Sequence, residues 1–156
     1  MATLNTLFDF QTPIESAASA ILTANGFPYI FTSRTTGSRD ITPYVDVTAV
    51  NFSPTNHAKL TGSMWYPDIW NGQLTVLTVT ERALNPTSHS VNTAKVINYM
   101  MSNNLFNTQS AMVNHYMLNS TVANTQYQSV NGADDLLDGT QVTFNLTVAI
   151  RPDVWS

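Results

Sequence analysis

Cysteine is absent from this chain, so disulfides, thiolate metal sites and thiol nucleophiles are all excluded. Charge is scarce as well. Charged residues make up 10% of the sequence, against roughly 25% in an average soluble domain. Lysine and arginine together number six and form no basic run, so tight electrostatic binding to nucleic acid is not expected. No apolar run approaches the roughly 20 residues that a membrane-spanning helix needs. Residues 1–10 carry neither a basic stretch nor a long apolar one, so no signal peptide is expected.

Threonine, asparagine and serine fill the gap that charge leaves. They make a surface that is polar yet largely uncharged, and such a surface is easier to desolvate than one covered in ions. That suits a protein that lives against copies of itself. The net charge is only −4. The 156 residues imply one domain with one core, spanning 1–156. Sequons at Asn51, Asn119 and Asn145 are what chance supplies in this composition.

Periodicity gives the outline of a fold. Thr12-Pro13-Ile14-Glu15 reads as a capping box, with Thr12 as cap and Glu15 reaching back. Ile14, Ala17, Ala18, Ile21 and Leu22 follow at helical spacing, and Asn25-Gly26 ends the helix. Strands are expected at 28–33 and 44–52, the second alternating Val45, Val47 and Ala49 against Asp46, Thr48 and Val50. Residues 53–70 have no clear period and read as a long loop excursion. Asn71-Gly72 introduces a strand over 73–81, apolar on both faces in part and therefore central. A second helix runs to about 103, capped by Thr87 or Ser88, with Val91, Ala94, Ile97 and Met101 as its buried face. Two further strand regions lie at about 112–122 and 126–130. After an acidic turn region, Val142, Phe144, Leu146, Val148 and Ile150 line one side of a last strand. The class is α+β: a mostly antiparallel sheet with two helices packed on one face. The other face, lined by Thr, Asn and Gln, stays open to a partner.

The residues offer little to catalysis. His57, His89 and His115 share no metal-ligand spacing. His89 sits between Ser88 and Ser90 at a helix start, where a capping role outweighs a Ser-His nucleophile pair. Asp134, Asp135 and Asp138 lack the alternation of a calcium loop and read as an acidic turn. No phosphate loop, dinucleotide fingerprint or nucleophile elbow is present. No metal, cofactor or enzymatic activity is expected, and a small hydrolase is the weakest of the readings. Partner contacts are better candidates. Trp65, Trp70 and Trp155 lie in the excursion and the tail, where large aromatics mark interfaces or cover a core. Arg34, Arg39 and Arg82 lie at loop or strand ends and could pair with acidic residues of a neighbouring subunit.

Several pieces occur in an order that resembles the tail terminator or tail completion family of long-tailed phages. They are Ala24-Asn25-Gly26-Phe27, Trp70-Asn71-Gly72-Gln73-Leu74-Thr75-Val76, Thr80-Glu81-Arg82, Ser88-His89-Ser90 and Ile150-Arg151-Pro152-Asp153-Val154-Trp155. The low charge and the long segment before Trp70 depart from many members. The resemblance implies a virion subunit of the tail or neck, without catalysis or cofactor. It implies a ring, usually a hexamer, that caps the tail tube and joins it to the neck connector. DNA would pass through its centre without sequence-specific binding. A capsid-decorating or host-surface carbohydrate-binding module is the alternative.

Overall fold

The computed structural model describes residues 3–35, 37, 43–81, 88–102, 112–129 and 137–155. A short helix α1 (Leu4–Leu7) leads into α2 (Gln11–Ala24) and then β1 (Ile30–Thr32) and β2 (Tyr44–Pro54). A hairpin follows, β3 (Ala58–Thr61) and β4 (Met64–Pro67), and then the long β5 (Ile69–Glu81). Helix α3 (Ser88–Ser102), β6 (His115–Ser129) and β7 (Leu137–Ile150) complete the order, with a 3-10 turn at Pro152–Val154. The main sheet runs β1-β2-β5-β7-β6. Only β1 with β2 is parallel; the other three pairings are antiparallel. Helix α2 lies over β1 and β2, α3 lies over β5, β7 and β6, and the two helices touch. The expected α+β class, with both long helices on one face, is the observed one.

The core forms where those helices meet the sheet. Val45, Val47 and Ala49 of β2, Leu74 and Val76 of β5, and the five alternating residues of β7 are all buried. Each large aliphatic or aromatic side chain so covered contributes about 1.5–3 kcal/mol. Ala17 and Ala18 let α2 come close to the strands. The helix ends as its sequence requires. Gly26 has φ 91°, and the amides of Gly26 and Phe27 reach back to the carbonyls of Thr23 and Leu22.

Several expectations are corrected. Helix α2 starts at Gln11, and Asp9 Oδ1, not Thr12, accepts an N-terminal amide, that of Thr12, at 3.2 Å. Glu15 does not reach back: it is 2% exposed and bonds to the sheet. On α3 the buried residues are His89, Val96 and Met100; of the expected face, Ile97 is half-buried and packs on the core, while Val91, Ala94 and Met101 face solvent. The apolar positions of that helix do not form one stripe, and the sheet selected the narrower set. The two strand regions near 112–130 are one strand, β6, kinked by bulges at Met117/Asn119 and Val122/Asn124. Asn71-Gly72 lies inside β5 rather than before it. Gly72 is needed there because the Phe52 ring lies on it; a Cβ would sit 2.2 Å from that ring. The excursion after residue 53 leaves the main sheet as the β3–β4 hairpin.

Candidate assembly surface

The two flanks of the main sheet are finished differently. On the β1 side the chain closes its own edge. Thr35 Oγ1 accepts the Thr32 N–H at 3.0 Å, and the Thr35 N–H donates to the Thr32 carbonyl at 3.0 Å. Beyond β1, helix α2 takes over the role of a strand. Glu15 Oε2 accepts the Ala49 N–H at 2.9 Å, and Gln11 Nε2 donates to the Ala49 carbonyl at 3.1 Å. Gln11 and Glu15 are one helical turn apart and so reach the same point of β2. Glu15 also accepts the N–H and hydroxyl of Ser33 at 3.0 and 2.7 Å, which pins the end of β1.

The opposite flank is β6. No strand lies outside it among the described residues. It is 15 residues long and contains no charged residue, proline or glycine. From Asn124 to Ser129 it pairs with β7 in unbroken register, and 123–127 are exposed. Natural edge strands are usually shortened, charged or interrupted by proline to prevent pairing. Within β6 itself, the bulges are the one such feature.

The β3–β4 hairpin turns through Gly62-Ser63, with Gly62 at φ 63° as a primed two-residue turn needs at its first position. Strand alternation divides its residues between two faces. Tyr66 turns inward and stacks on Trp155, with ring centroids 5.9 Å apart and planes at 26°. His57 Nδ1 and Asp68 Oδ1, 2.6 Å apart, join the two ends of its base. The other face holds Ala58, Leu60, Trp65 and Pro67, with Leu60 directly opposite Trp65. Leu60 is 51% and Trp65 66% exposed.

The sheet face away from the helices is an open ladder of amides and hydroxyls. Asn51 Nδ2 donates to Gln73 Oε1 at 2.9 Å, and Thr147 Oγ1 donates to Asn71 Oδ1 at 3.2 Å. A groove of about 510 Å³ runs along it, past Asn119 and Asn145.

The buried histidines hold helices to the sheet. His89 Nδ1 lies 2.9 Å from Thr80 Oγ1 and Nε2 lies 2.6 Å from Thr140 Oγ1. One ring nitrogen donates and the other accepts, so α3 is tied to both β5 and β7. Burial lowers the His89 pKa, and the Asp138 carboxylate opposes it. His115 Nε2 donates to the Leu7 carbonyl at 2.6 Å and anchors α1. Burial lowers its pKa too, with Arg151 adding to the effect and the Leu7 bond and Asp9 opposing it. His89 is therefore a cross-strand anchor rather than a cap.

Of the described residues singled out from the sequence, Trp70 and Trp155 meet on Phe8, while Trp65 and Arg34 lie apart from them. Trp65 points outward at the hairpin. Trp70 is half-buried, its ring 5.1 Å from Phe10 and 5.9 Å from Phe8, and its Nε1 donates to the Pro67 carbonyl at 3.0 Å. Trp155 packs beside it on Phe8 and Tyr66. Arg34 is exposed after β1, and its Nη2 donates to Thr12 Oγ1 at 2.7 Å. Arg39, Arg82, Asp134 and Asp135 lie outside the described residues.

No protein-family model matches the sequence, and no curated protein does. Among solved structures, a chain of "Virion of native gene transfer agent (GTA) particle" has a similar fold. The TM-score is 0.59 at 10% sequence identity, covering 86% of this chain and 93% of that chain. At that identity the likeness is one of fold. It extends over nearly the whole of both chains, so the sheet and its helices are shared rather than one motif.

Sequence reasoning missed Leu60 and Tyr66. Ala58-Lys59-Leu60-Thr61 and Met64-Trp65-Tyr66-Pro67 flank Gly62-Ser63, and that short turn between two four-residue runs was the available signal.

Proposed function

We propose that this chain is a structural virion subunit, a tail terminator or tail completion protein. In this reading it acts by assembly rather than catalysis. Copies form a ring, six being the simplest number, that caps the tail tube and meets the neck connector. DNA passes through without being read. The observation that supports this most is the fold shared along 86% of the chain with a chain of a virion particle. The outward Trp65 and Leu60 supply a contact surface of the right kind, as does the uncharged β6, beside which no strand lies among the described residues. Arg34, Arg39 and Arg82 remain candidates for pairing across subunits.

Native mass spectrometry over a concentration series tests this, first alone and then with tail-tube protein. A closed ring, or a complex with the tube, is expected. A strict monomer that also ignores the tube would overturn the reading.

A second reading is a capsid-decorating or carbohydrate-binding module, which the open amide-lined groove favours. Amides and hydroxyls can hydrogen-bond sugar hydroxyls without charge. Glycan binding by the monomer, lost when Gln73 and Asn145 become alanine, would select it over the first.

A further inference from the structure

Asparagines from four strands meet on the sheet face away from the helices. Asn51 of β2, Asn71 of β5, Asn145 of β7 and Asn119 of β6 are exposed and line one groove. Each lies eight or more positions along the chain from the nearest residue outside those described. Three of them head the sequons of this sequence. Strand alternation sets an asparagine and the hydroxyl two residues on along one face, and Ser53 and Thr147 line the groove with their asparagines. The sequon spacing here pairs amides with hydroxyls.

The amides are ordered across the strands. Asn51 Nδ2 donates to Gln73 Oε1 at 2.9 Å, and Gln73 Nε2 donates to Asn145 Oδ1 at 3.4 Å. Asn51 has φ 60°, a left-handed conformation that side-chain-bearing residues seldom adopt, where β2 slips register between Val50 and Ser53. Phe52 turns the other way, onto Gly72 and Phe10. The row is therefore held in place before a ligand arrives, which lowers the ordering cost of binding.

The lining residues carry neither charge nor aromatic ring, so the ligand that fits is neutral and rich in hydroxyls. A primary amide sets a donor and an acceptor side by side, and two neighbouring sugar hydroxyls meet both. Strands lie about 4.8 Å apart, close to the length that one pyranose adds to a straight β-1,4-linked chain. A chain laid across the strands thus keeps one ring per amide. The net charge of −4 disfavours acidic sugars.

We propose that this groove binds a neutral β-1,4-linked glycan laid across β2, β5 and β7, with Asn51, Gln73 and Asn145 each meeting one sugar. The proposal rests on the carbohydrate-binding reading above and names the class of sugar. A single site without an aromatic platform binds weakly, and copies gathered in one particle hold the same chain more tightly.

Nuclear magnetic resonance tests it, because side-chain amides report their own contacts. Cellohexaose and β-1,4-mannohexaose are the neutral probes, and the hexamer of β-1,4-mannuronate is the acidic one. Either neutral probe should shift the side-chain amide signals of Asn51, Gln73 and Asn145 together. Asn145→Asp keeps the shape but removes the donor at an exposed position, and should weaken that binding about tenfold. Tighter binding of the mannuronate, or binding lost on Trp65→Ala and kept on Asn145→Asp, would overturn the neutral-glycan groove while leaving a carbohydrate-binding protein standing. No response to any probe, with a glycan array also blank, would overturn both.

Discussion

At the residue scale, two positions carry more than their type suggests. Glu15 has the apolar neighbours of a helix core position, yet it is a carboxylate accepting two backbone amides and a hydroxyl. Glu15→Gln replaces one accepting oxygen with a donor that faces donors. The expected cost is roughly 1–3 kcal/mol, read as a lower urea midpoint with an unchanged slope. Gly72 is set by contact with a side chain and not by a turn. Gly72→Ala must displace the Phe52 ring from 2.2 Å, with an expected loss of about 1–3 kcal/mol. Adding Phe52→Ala should then cost less than the sum of the two single changes, since they share the contact. A double-mutant cycle in urea measures that. Neither role was legible in the sequence. A Thr-x-x-Glu spacing is equally a capping box, and Asn-Gly is equally a turn.

At the element scale, the aromatic cluster decides what the hairpin does. Trp155 is penultimate in the chain, yet it stacks on Tyr66 and meets Phe8 edge-on at 67°. Trp155→Ala should release the hairpin without unfolding the sheet. Hydrogen exchange would then rise in 58–67 and stay low in β5 and β7. Helices α1 and α3 depend on histidines whose pKa values burial depresses below 6.5. The unfolded chain takes up these protons more readily than the folded one. Stability is therefore full above the unfolded value and is lost as pH falls through the lower folded values. The melting temperature should decline from about pH 7 to about pH 5. His115→Leu should flatten that decline, although losing the Leu7 bond lowers the whole curve.

At the scale of the whole molecule, the two flanks of the sheet are finished differently: α2 bonds to β2 past the end of β1, and among the described residues no strand lies outside β6. Low charge makes the difference visible, because few ions guard any surface. The prediction that belongs here is the native mass: larger than a monomer, concentration-dependent, and insensitive to Trp70→Phe, which changes an inward ring. If Trp70→Phe abolished assembly while leaving the melting temperature unchanged, the division into inward and outward tryptophans would be wrong.

The sequence by itself determined the class, α2, the alternation of β2 and β7, and the central place of β5. These are local matters: a period of 3.6 or 2 and a left-handed glycine are written in consecutive residues. Tertiary structure alone decided which face of α3 is buried, because its apolar residues fit more than one rotation and only the sheet beneath selects. It alone decided that Glu15 serves Ala49, 34 positions away, and that Trp70 and Trp155 turn inward while Trp65 turns out. Those outcomes depend on neighbours brought together by folding, and no short-range pattern records them.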